Sequence, residues 1–271
     1  TTIGTSLVDI IDKGKYVPLF YCIKFNNIIA MEMIIKYGAN VNYTTGNQTA
    51  LHMATIRGNL DMIKLLLSNK ALVNIKNKDG ATPLHHACNF DNYNAVSILL
   101  KYGADPNIIE IHHELSPLLY SVQLGNVPIV KLLVEHKADP NHQDYAGNTV
   151  FTYAIRDKRL EVLELLLSSY PIGKRVLGVY TEDINEPVSC HCIDPNIVNL
   201  DGLTLGHLFI YFYEEPYTKH LRQILPFCNL NYQDNQGNTV LLLLTKYNLW
   251  RDYQDILVRK KLNIYIRNSE N

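Results

Sequence analysis

The chain has 271 residues, of which 47% are hydrophobic and 19% charged, and its formal net charge is -1. This length is sufficient for a continuous hydrophobic core, and the neutral balance excludes the strongly basic surface of a general nucleic-acid-binding protein. No apolar run approaches the roughly 18 to 20 residues that span a bilayer, and the amino-terminal segment lacks the pattern of a secretory signal. We expect neither nucleic acid nor membrane among its partners.

A short phrase, typified by Thr-Pro-Leu-His at residues 82–85, recurs along the chain about every 33 residues. Its seven versions begin at Val17, Thr49, Thr82, Ser116, Thr149, Thr204 and Thr239. A second phrase, typified by Gly-Ala-Asp-Pro-Asn at residues 103–107, recurs in register with the first. Because two phrases rarely stay in step by chance, the sequence predicts seven copies of one unit.

The chemistry of the phrases predicts two helices in each copy. Thr82 suits the N-cap of a first helix, and Pro83 suits its first turn. Val96 and Leu99 follow the spacing of an apolar helix face, and Gly103 can take the left-handed conformation that ends a second helix. A tight turn such as Asp-Gly at residues 79–80 then forms a projecting loop, which we call a finger.

These phrases resemble those of the ankyrin-repeat family, from about residue 14 to about residue 266 and best over residues 46–147. The resemblance implies an all-α fold, an ankyrin-repeat solenoid of about seven helix-turn-helix units with β-turn fingers. We predict one domain over residues 1–271, because a lone unit cannot bury its apolar face. Its units are predicted at residues 14–45, 46–78, 79–112, 113–145, 146–200, 201–235 and 236–268. The absence of a first Met suggests part of a longer protein.

One interval between phrases is too long by about 22 residues, which places an insertion at residues 171–193. We expect either a surface loop or a lengthened helix end. The insertion contains Cys190, His191 and Cys192, whose side chains are zinc donors, but adjacent residues cannot easily reach one tetrahedral ion and no second ligand pair lies at suitable spacing. We therefore expect loop cysteines, no metal and no cofactor.

The cysteines indicate the compartment. Their odd number and their scatter through helical units argue against disulfides and for a reducing environment. They are Cys22, Cys88, Cys190, Cys192 and Cys228. We expect the chain in the cytoplasm, which is the host cytoplasm if the protein is viral, or in the nucleus.

Histidines recur at the fourth place of the phrase, at His52, His85 and His207. The resemblance implies that these rings hydrogen-bond to backbone and tie turns together. His112 and His113 differ, because their finger lacks the usual glycine; it is either a distorted turn or a recognition element. The chain also has no phosphate-binding glycine loop, no Gly-x-Ser-x-Gly elbow and no His-Glu-x-x-His motif, so we expect no enzymatic activity.

The resemblance implies that a partner protein binds a concave face formed by first helices and fingers. Phrase position predicts the helix residues of that face to be Met53, Arg57, His86, Phe90, Tyr120, Gln123, Tyr153 and Arg156. The predicted finger tips are Lys78, Ile111, His112, His113 and Tyr145. Aromatic and arginine side chains are enriched at binding hot spots, although each tyrosine could instead fill a gap between repeats.

The composition carries a second resemblance, since 18 tyrosines against one tryptophan, together with abundant Ile, Asn and Lys, resemble poxvirus ankyrin-repeat proteins. It implies a host-range or immune-evasion factor that captures a host innate-immune or cell-death signalling protein. In many relatives an F-box-like segment then passes the captured protein to a Skp1-cullin ubiquitin ligase, but nothing in residues 1–271 resembles that segment. The alternative is a cellular scaffold that assembles signalling or cytoskeletal proteins.

Overall fold

The computed structural model describes residues 7–173 and 192–259. The chain divides into two compact units, Thr1–Ala138 and Asp139–Asn271, which we call unit 1 and unit 2 and describe separately. In the described ranges both units are built of short α-helices in pairs, which confirms the predicted all-α repeat fold. The division into one domain over residues 1–271 stays a prediction.

Unit 1 contains four helical hairpins. Their helices are α1 (Pro18–Lys24), α2 (Ile28–Lys36), α3 (Ala50–Ile56), α4 (Leu60–Ser68), α5 (Pro83–Asn89), α6 (Tyr93–Lys101), α7 (Pro117–Leu124) and α8 (Val127–Glu135). A 3-10 turn at Leu7–Asp9 precedes them, and strands β1 (Thr44–Thr45) and β2 (Gln48–Thr49) form one antiparallel finger in which Thr44 pairs with Thr49.

Unit 2 contains three further hairpins within its described residues. Their helices are α9 (Val150–Arg156), α10 (Leu160–Ser169), α11 (Leu205–Tyr211), α12 (Thr218–Ile224), α13 (Val240–Lys246) and α14 (Gln254–Val258). Short 3-10 segments at Glu215–Tyr217, Leu225–Phe227 and Trp250–Tyr253 flank the last helices. No helix in the described parts of either unit is long and apolar enough to cross a membrane.

Asparagine caps set the start of every second helix in unit 1. The side-chain oxygen of Asn59 accepts a hydrogen bond from the Met62 N–H at 3.0 Å, and this contact recurs at 2.9 to 3.0 Å at the other three caps. Those caps are Asn27, Asn92 and Asn126. Each cap accepts a hydrogen bond from an N–H of the first turn that has no acceptor within the helix. Such a cap stabilises a helix by about 1 kcal/mol.

The core of each unit lies between neighbouring helices. The apolar stripe predicted for the second helices is buried, since Val96 and Leu99 of α6 have no exposed surface. Met62, Ile63 and Leu66 of α4 are equally buried. Because each hairpin packs these side chains on the hairpin beside it, the stability of a unit comes from stacking.

A ladder of asparagines joins successive repeats beyond their second helices. The Asn74 amide donates to the Gly103 carbonyl at 3.2 Å and accepts from the Asp105 N–H at 2.9 Å. In unit 2, Asn141 makes the same pair of bonds, donating to the Cys192 carbonyl at 2.6 Å and accepting from the Asp194 N–H at 2.9 Å. The repeat register therefore resumes at Cys192.

The two ends of the insertion meet in unit 2. Ile172 and Ile193 form a parallel β-bridge in which the Gly173 N–H donates to the Ile193 carbonyl at 3.0 Å. Ile193 has no exposed surface. Cys192 is buried, whereas Cys190 and His191, which were expected to be loop residues without a metal, lie outside the described residues.

Candidate functional site

The side of each first helix that faces the fingers is called the inner face here. Three contacts define it: His86 Nε2 lies 3.5 Å from the Asn77 amide nitrogen, the Tyr153 hydroxyl donates to Asp144, and the Tyr211 hydroxyl donates to Asp234 at 2.5 Å. In each case a first-helix side chain meets a residue at the base of a finger. Partner-binding residues predicted from phrase position lie on this face.

The predicted residues of unit 1 line the inner face with different exposures. Met53, His86, Tyr120 and Gln123 are half-buried. Arg57 and Phe90 follow the ends of α3 and α5 and are exposed, Phe90 by 53%. The half-buried rings form a floor, and the exposed side chains form a rim.

The floor of the inner face is held by ring contacts. His86 lies edge-on to His52 with ring centroids 5.6 Å apart, and Tyr120 lies edge-on to His85 at 6.2 Å. Burial lowers the pKa of His86 and raises that of Tyr120, so both rings are neutral at pH 7. The floor is therefore a neutral, partly aromatic surface.

The phrase histidines fix the start of three first helices, α3, α5 and α11. Their Nδ1 atoms lie 2.7 to 2.8 Å from a threonine hydroxyl in the pairs Thr49–His52, Thr82–His85 and Thr204–His207. On the opposite side of the ring, His52 Nε2 lies 3.1 Å from the Ala81 carbonyl of the next finger. His207 Nε2 lies 3.1 Å from the Asn238 carbonyl in the same way, so His52 and His207 tie helix to finger as expected, whereas His85 Nε2 has no hydrogen-bond partner among the described residues. Burial lowers the pKa of His52 and His85 to about 4, so these rings are neutral at pH 7.

Most described fingers are closed by one side chain at their base. The Asn77 side-chain oxygen accepts from the backbone N–H groups of Asp79 and Ala81, both at 2.9 Å. Asp144, Asn199 and Asp234 accept in the same way from the residues two and four positions later. A short polar side chain therefore sets the shape of the finger.

The finger that lacks glycine is closed by Glu110 instead. Its carboxylate accepts from the N–H groups of His112 at 2.9 Å, His113 at 2.8 Å and Leu115 at 3.2 Å. Burial opposes ionisation, but the three donors hold the pKa of Glu110 below its ordinary value. The loop is one residue longer than the closed fingers described above, and the longer acid spans it. Whether this finger is a recognition element stays a prediction.

The predicted finger tips of unit 1 are exposed. They are Lys78, Ile111, His112 and His113. The His112 ring is not independent, because its Nε2 lies 3.1 Å from Asp79 of the preceding finger. This contact holds the pKa of the Asp79 carboxyl below its usual value. In unit 2 the predicted tip Tyr145 is 63% exposed.

The two predicted helix residues of unit 2, Tyr153 and Arg156, differ in exposure. Tyr153 is only 9% exposed, because its hydroxyl donates to Asp144 and the Arg156 guanidinium covers its ring at 4.6 Å from the centroid. Arg156 is exposed and pairs with Asp157 at 2.9 Å. The placement of Tyr153 on the binding surface is therefore corrected, since its ring fills the gap between helix and finger.

Sequence reasoning missed the aromatic residues of the first repeat. Tyr21 in α1 corresponds to Met53 in α3, and Phe25 at the end of α1 corresponds to Arg57. Phe25 is 70% exposed. Their rings stack at 6.3 Å, and the Lys24 ammonium lies 5.7 Å from the Phe25 centroid. The version of the phrase at Val17 would have located them, had the face been extended to the first repeat.

The described residues show no arrangement suited to metal chemistry. Over residues 7–173 and 192–259 there is no group of three or more His, Cys, Asp or Glu side chains placed to hold an ion. Cys22, Cys88, Cys192 and Cys228 are buried.

Comparison with known proteins gives two family matches. Residues 19–110 match a family model described as ankyrin repeats in three copies, and residues 118–167 match one described as ankyrin repeats in many copies. Together they cover just over half of the chain.

Individual relatives include viral and cellular proteins. An ankyrin repeat protein of Acanthamoeba polyphaga mimivirus is 44% identical over 270 residues, covering 98% of this chain and 35% of that protein. One from fowlpox virus is 37% identical over 125 residues, which is 44% of this chain and 36% of that protein. Inversin of Canis lupus familiaris is 31% identical over 206 residues, covering 74% of this chain and 19% of that protein. The chain thus spans about a third or less of these relatives.

Proposed function

Because the chain belongs to the ankyrin-repeat family, we propose that it is a non-enzymatic adaptor that captures a folded protein on the inner face of unit 1. The observation that carries the proposal is the exposed rim of that face. Phe25 and Phe90 expose 70% and 53% of their surfaces, and Arg57 is exposed without an ion pair among the described residues. Aromatic and arginine side chains dominate binding hot spots, and large apolar side chains exposed together mark interaction sites.

The chemistry of the face suits a protein surface better than a small molecule. Lys24 supplies positive charge beside the Phe25 ring, and Arg57 adds a second exposed positive charge to the rim. The carboxylate of Asp79 already contacts Asn47 and His112. A partner segment with apolar and acidic side chains would match this rim. The half-buried floor would add contact area without further charge.

The relatives support a viral setting for this adaptor. The mimivirus protein matches almost the whole chain, and the fowlpox protein matches nearly half of it. In that setting the captured protein is a host innate-immune or cell-death signalling component, met in the host cytoplasm or nucleus. Delivery to a Skp1-cullin ubiquitin ligase would use a segment outside residues 1–271.

The proposal is tested by affinity purification from host cells with quantitative mass spectrometry. The variant Phe25→Ala/Arg57→Ala/Phe90→Ala should lose captured proteins at least about tenfold relative to the parent. The matched control is Glu32→Ala/Lys64→Ala/Lys131→Ala, which changes three exposed side chains on α2, α4 and α8. Equal capture by all three proteins would refute the binding face.

A cellular scaffold is the second candidate, favoured by the inversin match over 206 residues. The two candidates differ in the fate of the captured protein. A ligase adaptor shortens the half-life of its partner on co-expression, and a proteasome inhibitor restores it. A scaffold leaves the half-life unchanged.

A further inference from the structure

Unit 2 has an open pocket on its inner face, between two neighbouring fingers and the end of α11. Its volume is about 440 Å³, within the range of about 300 to 1,000 Å³ of ligand pockets. The side chains that give it chemical character are Asp201, Leu203, Tyr211, Phe212 and Asp234. No lysine, arginine or histidine is among the described residues that line it.

One wall of the pocket is negatively charged. Asp201 is exposed, and its carboxylate makes no hydrogen bond or ion pair with any residue in the described ranges. Asp234 is 6% exposed, and it accepts from the Tyr211 hydroxyl at 2.5 Å and from the N–H groups of Gln236 and Asn238. The carboxylate of Asp234 therefore already accepts hydrogen bonds from its neighbours, whereas the exposed carboxylate of Asp201 can accept them from a ligand.

The equivalent carboxylate in unit 1, that of Asp79, shows which kind of group binds at the position of Asp201. Asp79 lies two residues after Asn77, as Asp201 lies two residues after Asn199, and both follow the side chain that closes their finger. The Asp79 carboxylate is filled by the Asn47 amide at 2.8 Å and by His112 Nε2 at 3.1 Å. Unit 1 thus supplies nitrogen donors from neighbouring fingers, and the described residues of unit 2 supply none to Asp201.

Aromatic side chains line the same pocket. Phe212 follows the end of α11 and is 38% exposed, and Tyr211 beside it is half-buried. A flat ring and an unpaired carboxylate in one pocket suit a planar cation. A guanidinium can stack on the ring while its N–H groups donate to the carboxylate, and an ammonium cannot match both features equally well.

We propose that this pocket receives an arginine side chain of a partner protein, stacked on Phe212 and hydrogen-bonded to Asp201. The inference concerns unit 2 and goes beyond the proposed function, which places capture on unit 1. Leu203 would pack against the methylene stem of that arginine. Asp234 would add attraction through its charge, without a direct bond.

The test is an NMR titration of the isotopically labelled chain with N-acetyl-arginine amide at low salt. Saturable shifts are expected at the backbone amides of Asp201, Leu203 and Phe212. N-acetyl-citrulline amide is a neutral molecule of nearly the same shape, and it should give at least about tenfold weaker binding. N-acetyl-lysine amide should fall between the two.

Two variants localise the effect. Asp201→Asn should weaken arginine binding about tenfold, and Phe212→Leu should weaken it several-fold while preserving apolar volume. Asp61→Asn, at an exposed acid on α4, is the matched control and should change nothing. Amide spectra of the free variants report whether each is folded.

Three results would each overturn the pocket assignment: equal binding of the citrulline compound, unchanged binding by Asp201→Asn, or shifts only at other residues. The outcome is separable from that of the proposed function. If capture depends on Phe25, Arg57 and Phe90 but the arginine compound does not bind, the arginine-pocket proposal is wrong and the proposed adaptor function still holds.

Discussion

Glu110 shows at the scale of one residue how a departure from the repeat pattern is accommodated. The sequence reveals that its finger lacks glycine, but not that the glutamate folds back to accept three backbone N–H groups. That outcome depends on loop length and side-chain length together. It could not be predicted from residue type alone.

Replacing Glu110 by glutamine should destabilise the chain by about 2 kcal/mol at pH 7, because buried N–H groups lose a charged acceptor. The pKa of Glu110 is lowered in the folded state, so its stabilising effect is present above the unfolded pKa and is lost as pH falls through the folded pKa. The difference between parent and E110Q should therefore shrink below about pH 4.5.

Urea denaturation at several pH values measures this difference. Glu32→Gln, at an exposed residue of α2, is the control and should change the unfolding free energy by less than about 0.5 kcal/mol. A pH-independent loss in E110Q would show that the carboxylate charge contributes nothing.

The unfolding free energy also depends on pH through buried histidines, which lose stability by staying neutral where the unfolded chain is protonated. Burial lowers the pKa of His52 and His85 to about 4, so below about pH 6.5 the unfolded chain binds protons that the folded chain does not. Stability should fall as pH drops from about 6.5 to 4, by up to about 1.4 kcal/mol per pH unit for each histidine. Substituting His52 by glutamine should reduce that slope by about one proton, as measured by denaturation across this range.

A flat profile of unfolding free energy between pH 6.5 and 4 would contradict the neutral state of these rings.

At the scale of secondary-structure elements, the phrases predicted the helix pairs well. Thr49, Thr82 and Ser116 are the N-caps of first helices, as expected from the phrase. The outcome at the insertion was less predictable, because the bridge between Ile172 and Ile193 joins residues that lie far apart in sequence. Local pattern carries no information about such a pairing.

Because this bridge and Asn141 hold both ends of the insertion, residues 174–191 should be dispensable for folding. Replacing them by a Gly-Ser linker of about six residues should shift Tm by less than about 3 °C. Asn141→Ala should cost about 1 to 2 kcal/mol, since it removes two bonds across the repeat junction.

Differential scanning calorimetry compares the two changes directly. Loss of cooperative unfolding in the linker variant would show that the insertion contributes to the core. A neutral Asn141→Ala would show that the asparagine ladder does not hold the repeats in register.

At the scale of the whole molecule, phrase position assigned first-helix residues to one face, but it did not predict how exposed each one is. Phe90 and Tyr153 were both assigned to that face from phrase position, yet Phe90 is exposed and Tyr153 is buried. The difference arises because Asp144 accepts the Tyr153 hydroxyl and Arg156 covers its ring. Exposure is decided by contacts between helix and finger, which a repeat pattern does not encode.

The central claim is that the inner face of unit 1 captures another protein. The most direct measurement is hydrogen–deuterium exchange of the chain with and without its co-purified partner. The account predicts new protection in α1, α3 and α5 and in the fingers at residues 77–81 and 110–115. Protection confined to the outer helices α2, α4, α6 and α8, with the first helices unchanged, would contradict it.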